Sequence, residues 1–98
     1  MKRSEYDIKA ITVNGRLISR VIIDDHVRKH RDVSDALILK LVAKLDGVRQ
    51  LPDDAKVSFE YFATLIELGA KQFRLVWLLE ENQIYIGIIT VYRDDRSE

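Results

Sequence analysis

The sequence predicts an α+β domain: an antiparallel five-stranded sheet with one principal helix packed on one face, in the order ββαβββ. Three observations predict it. Asn14-Gly15 separates two segments of strand-like composition. A stripe of apolar residues at helical spacing runs from Leu37 to Leu45. The last third, Phe73 to Tyr92, is two β-branched and aromatic runs broken once, at Glu80-Glu81-Asn82-Gln83. At 98 residues the chain makes one domain, 1–98, with 1–7 and 94–98 expected as frayed tails.

In chain order, Ile8 to Val13 forms the first strand and Arg16 to Ile23 the second. Asn-Gly suits a type I′ turn because both turn positions need positive φ. A two-residue turn pairs Val13 with Arg16, Ile11 with Ile18 and Ile8 with Val21. The face carrying Ile8, Ala10, Thr12, Leu17, Ser19, Val21 and Ile23 is expected to meet the core. At Asp24-Asp25 the pattern changes, and His26 to Arg31 reads as one or two polar turns. Asp32 or Ser34 caps the main helix, which runs to about Leu45. Leu37, Ile38, Leu41, Val42 and Leu45 form its buried stripe, and Gly47 is placed as the C′ residue.

Val48 to Lys56, with the only proline, reads as a surface loop. Val57 to Leu68 allows two readings. Phe59, Phe62, Ala63 and Ile66 fit helical spacing, with Ser58 as cap. As a strand, the segment turns through Gly69-Ala70 and pairs Ile66 with Phe73, Thr64 with Leu75 and Phe62 with Trp77. Three such pairs on one face favour the strand, with Phe73, Leu75, Trp77 and Leu79 turned to the helix. The last strand is apolar on both faces, so it is expected either inside the sheet or with its second face covered, and Gly87 within it marks a bulge or a close backbone approach.

The chain has no cysteine, which excludes disulfides and thiolate metal sites. The longest apolar run falls far short of the about 20 residues needed to cross a membrane, and MKRSEYDIKA lacks the apolar region of a secretory signal. A soluble cytoplasmic protein, with no membrane partner, is expected. Net charge is zero, but residues 1–31 carry eight bases against four acids. Such a segment can attract phosphate locally, although a chain 33% charged also shows such lumps by chance.

Three constellations bear on chemistry. His26 and His30 sit four apart and, with Asp25, could chelate a metal, but two surface imidazoles in a solvated turn explain the pattern more simply, so no metal is expected. Arg28, Lys29, His30 and Arg31 could contact RNA phosphates, with His30 transferring protons near neutral pH; a solvated helix face is the plainer reading. Lys71, Arg74, Tyr92 and Arg93 could form a phosphate-facing sheet surface. There arginine would stabilise transition-state charge and a His or Tyr, such as Tyr92, would handle protons; the plainer reading is that Arg74 caps the polar side of the sheet beside Glu67. Tyr92 and Arg93 are adjacent on a strand, so only one of them joins Arg74 directly. No phosphate-cradling glycine loop is present and no cofactor is expected.

A basic helical segment, a helix, and a closing meander ending in ITVYR resemble the small bacterial toxin nucleases, the RelE/ParE-like and barnase-like toxins, over about Asp25 to Arg93. The resemblance implies an endoribonuclease toxin of a toxin–antitoxin-like system, metal-independent and neutralised by a partner protein. It implies catalytic roles for Arg74, Arg93, Tyr92 and His30, and RNA binding by Arg28, Lys29, Arg31 and Lys71. This chain departs from the resemblance in being neutral and in carrying the Asn14-Gly15 hairpin. The competing expectation is a non-enzymatic interaction module, an immunity or accessory protein or a small homodimer, because one helix cannot cover both faces of five strands.

Overall fold

The computed structural model describes residues 3–24 and 33–94. Its elements are β1 (Arg3–Val13), β2 (Arg16–Asp24), α1 (Asp35–Ala43), β3 (Asp54–Lys56), β4 (Phe59–Leu68), β5 (Lys71–Glu80) and β6 (Tyr85–Arg93). The α+β class holds. The sheet has six strands rather than five, in the order β1-β2-β6-β5-β4-β3, and it is mixed, because β2 pairs with β6 in parallel, Val21 beside Ile86. The sixth strand is β3, three exposed residues inside the stretch expected as loop; it borrows its order from β4, where Lys56 pairs with Phe59.

The expected tails are also shorter. Arg3 to Asp7 pair with Asp24 to Arg20, and Asp94 extends β6 by donating its N–H to the Gln72 carbonyl at 2.9 Å. Tyr6 reaches the core and its hydroxyl hydrogen-bonds Asp35, which anchors the start of β1 to α1.

The first hairpin turns through Asn14 (φ 52) and Gly15 (φ 75), and Val13–Arg16 and Ile11–Ile18 pair as expected. Beyond them the register shifts: Val21 faces Tyr6, not Ile8. Three residues of β1, 8–10, oppose the single Ser19 of β2. On the other edge of β2, the N–H groups of Ser19 and Arg20 both donate to the Ile84 carbonyl, at 2.9 and 3.3 Å, two residues against one. These irregularities flip the faces midway. Near the turn Ile11, Val13 and Ile18 are buried, while Leu17 is 62% exposed and Thr12 is exposed. Farther along, the expected face is the right one: Val21 and Ile23 are buried and Ile8 packs against them. The irregularities let both apolar sets point inward.

Ser34 is the cap of α1, its Oγ accepting the Leu37 N–H at 3.1 Å. The helix ends at Ala43, before Leu45. Tighter turns follow, with Leu45 N–H donating to Val42, so Leu45 is still buried. Gly47 (φ 86) therefore closes that extra turn instead of serving as the C′ residue, and its N–H donates to the Thr12 carbonyl at 2.7 Å.

The stretch 57–68 is turn and strand, not helix: Val57 and Ser58 turn the chain and β4 runs Phe59–Leu68. Phe62–Trp77, Thr64–Leu75 and Ile66–Phe73 are paired as read from the sequence. The Phe62 and Trp77 rings stack with centroids 4.1 Å apart and planes 12° apart. With Leu75, Leu79, Ile86, Ile88 and Val91 they meet Ile38, Leu41 and Val42 of α1 in one core. The strand β6 lies inside the sheet as expected, but a bulge at Ile89 (Val76 faces Thr90, Trp77 faces Ile88) breaks its alternation, so Ile86, Ile88 and Val91 all point to the helix.

Candidate functional site

The face of the sheet away from α1 carries the side chains that alternate with the core. On it, Ile22 of β2, Tyr85 and Ile89 of β6, Val76 and Leu78 of β5, and Tyr61 of β4 are all half-buried. They make an apolar band across the middle strands, sunk at one point into a hollow of about 590 Å³. The floor of the hollow is Gly87. A Cβ there would lie 2.9 Å from Leu78 Cδ1, so the missing side chain is the space that Leu78 fills. The close approach expected at Gly87 is thus real, and the bulge lies two residues on.

The polar groups around this band are engaged with one another. The Tyr85 hydroxyl donates to Glu80 Oε1 at 2.5 Å. Burial, then the hydrogen bond to Glu80 and its charge, push the Tyr85 phenol up to about 12, with Arg3 acting weakly in the opposite sense. Arg20 reaches Asp7 at 3.3 Å and Glu5 at 3.8 Å. Arg74 donates through Nε and Nη2 to Asp94 Oδ2 at 3.1 and 3.0 Å. On this face Arg3, Arg20, Lys56 and Arg74 stand against Glu5, Asp7, Asp24, Asp54, Glu67, Glu80 and Asp94, so the balance is acidic. Arg16, at the sheet's end, donates to the carbonyls of Glu80 and Gln83 and pins the β5–β6 turn.

The sequence-predicted residues divide into three groups. Arg74 and Tyr92 are cross-strand partners on the open face, so Tyr92 is the member of the Tyr92-Arg93 pair that joins Arg74. Arg93 faces Phe73 on the helix side, where it lines a second cleft with Lys71. His30, Arg28, Lys29 and Arg31, and with them His26 and Asp25, lie outside the described residues. Among the described residues, no group of three or more His, Asp or Glu is gathered as a metal site, and no helix is long and apolar enough to cross a membrane.

Sequence reasoning missed the hollow at Tyr85, Glu80 and Leu78, and the Arg74–Asp94 pair. The signal for the first was present: a glycine amid isoleucines on an interior strand, opposite a leucine. The second could not be read while residues 94–98 were taken as a tail. In comparisons with protein-family models, curated proteins and solved structures, no match to this chain is found.

Proposed function

We propose that this protein is a non-enzymatic interaction module that pairs with a second copy of itself through the open sheet face. The observation that carries the reading is the half-buried apolar band of Ile22, Val76, Leu78, Tyr61, Tyr85 and Ile89, which no helix of the described residues covers. Bands of this kind mark contact surfaces on soluble chains. Two of the ion pairs on its charged margin, Arg20 with Asp7 and Arg74 with Asp94, are already formed within the chain, which lowers the cost of covering those charges. A second copy suits it because the whole chain carries zero net charge, so two molecules approach without net long-range repulsion, and the acidic excess of the face lies at its margin and not in the apolar band. Sedimentation equilibrium tests this. A dimer is expected, and Val76→Lys, in the middle of the band, should raise its dissociation constant by more than tenfold while leaving the fold intact. A wild-type monomer at the highest concentration that stays clear would remove the proposal.

A nucleolytic reading keeps one specific support. Arg74 and Tyr92 face each other across β5 and β6, a guanidinium and a phenol within reach of one phosphate. That chemistry needs Asp94 to release Arg74, and it needs RNA to settle on an acidic face. Its experiment is expression in a bacterium without a neutralising partner. Growth arrest relieved by Arg74→Ala would favour it; normal growth with the protein soluble would rule it out.

A further inference from the structure

We propose that residues 3–7 of β1 form an edge that adds to the same edge of a second copy, joining the two sheets antiparallel about a twofold axis at Glu5. The strand β1 is the margin of the sheet. The Arg20 N–H donates to the Ile84 carbonyl on the β6 side at 3.3 Å, so Arg20, and Ile22 two residues on, address β6. Val21 and Ile23 therefore bond to β1, through Tyr6 and Ser4. Arg3, Glu5 and Asp7, opposite Asp24, Ile22 and Arg20, turn their backbone groups away from the sheet. Among the described residues, none hydrogen-bonds those outward groups. Farther along, the margin is closed: the irregularity at residues 8–10 breaks the ladder, and Asp46 and Gly47 take up the N–H and the carbonyl of Thr12.

The charges select the occupant. Arg3, Glu5 and Asp7 are exposed, and a charged edge rejects most strands. Against its own copy, with Glu5 across from Glu5, Arg3 of each chain stands across from Asp7 of the other, and opposite charges so placed attract. Asp7 keeps one oxygen on its own Arg20 at 3.3 Å, but its side chain is 85% exposed, which leaves the other oxygen to the partner's Arg3. Moving the axis to Tyr6 sets Glu5 against Asp7 and Arg3 against Lys9, all like charges. Moving it to Ser4 keeps Arg3 with Glu5 but shortens the described ladder to residues 3–5. The register centred on Glu5 makes three hydrogen-bonded pairs, about six backbone bonds, at the cost of one like-charge pair at the axis. Residues directly opposite share a face, so both helices lie on one side of the joined sheet and both open faces on the other. The contact is independent of the open face.

The test is amide hydrogen exchange, read residue by residue as a function of protein concentration, in the full chain carrying Val76→Lys to disable the open face. A dissociation constant on the order of 100 µM is expected for a contact this small. The Glu5 and Asp7 amides should gain protection as concentration rises through that value, while those of Ser4 and Tyr6, already bonded to β2, should not. Glu5→Pro removes the central donors at a position whose N–H faces outward, where an edge strand accepts proline, and should weaken association by more than about tenfold. Glu5→Gln removes the like-charge pair and should tighten it roughly threefold. Arg3→Glu and Asp7→Lys should each weaken association alone, and their equimolar mixture should recover it, because only the mixed pair places opposite charges at both ends. Glu5 and Asp7 amides whose exchange is independent of concentration up to about ten times that dissociation constant would overturn the proposal, as would a mixture no better associated than either variant. The two contacts fail separately, since Glu5→Pro leaves the open face as it is.

Discussion

Val57 occupies the turn between β3 and β4 with φ 47, a left-handed conformation that a β-branched side chain tolerates poorly. Its side chain is fully exposed, so it gains nothing from packing in return. Asparagine accepts this conformation far more readily. Val57→Asn should therefore stabilise the fold by about 1 kcal/mol in urea unfolding, while Val57→Ile should not. A second residue-scale consequence lies at Tyr85. Its phenol is held neutral to about pH 12, above its ordinary value near 10, so the folded state binds this proton more tightly than the unfolded chain. The resulting stability is full below about pH 10 and is lost as pH rises toward 12. An absorbance titration should show one tyrosine ionising late, and Tyr85→Phe should remove that step and flatten the alkaline fall in stability.

Elements were legible where the signal was local. Asn14-Gly15 and Gly69-Ala70 gave two of the tight turns, Ser34 gave the helix start, and the pairing of Phe62 with Trp77 decided strand over helix in the stretch that became β4. What escaped was non-local or aperiodic. The period-2 pattern cannot show a bulge, and the irregularities at residues 8–10, at Ser19-Arg20 and at Ile89 each reverse it. The parallel β2–β6 pairing joins segments about sixty residues apart with no local mark, and β3 has no apolar alternation to read. The site was half legible for the same reason: strand alternation separates Arg74 from Arg93, but the ion pair with Asp94 depends on β6 running one residue farther. Gly87 is the position where element and site meet. Gly87→Ala drives a methyl against Leu78 Cδ1 and should cost about 1–3 kcal/mol. Leu78→Ala in the same chain should recover part of that loss, so the two substitutions should cost less together than the sum of each alone. Strict additivity would show that Leu78 does not fill the space above Gly87.

At the scale of the molecule, residues 46–53 tie the β1 end of the sheet to the β4 end. At the first, Asp46 Oδ1 accepts the Thr12 N–H, Gly47 donates to the Thr12 carbonyl and Asn14 donates to the Val48 carbonyl. At the second, Asp53 donates its N–H to the Tyr61 carbonyl, and its carboxylate accepts the Ala63 N–H. These bonds occupy backbone groups that a sheet margin would otherwise offer to another chain. Gln50 touches both ends. Its N–H donates to Asn14 Oδ1 at 2.7 Å, its amide donates to the Ala63 carbonyl at 3.0 Å, and its Oε1 accepts the Thr64 hydroxyl at 2.8 Å. Thr64 in turn accepts the indole N–H of fully buried Trp77 at 2.9 Å, so the chain of bonds runs from the surface segment into the core. Gln50→Ala leaves the Ala63 carbonyl and the Thr64 hydroxyl without this partner and should destabilise the fold by about 1–3 kcal/mol in urea, with the slope of the transition unchanged. Trp77→Phe removes the donor at the far end of the same chain, so a double-mutant cycle between positions 50 and 77 should show coupling, passing through Thr64, that independent sites lack. A loss at Gln50 below about 0.5 kcal/mol, the range of ordinary surface changes, would mean that the segment rests on the sheet without holding its two ends together.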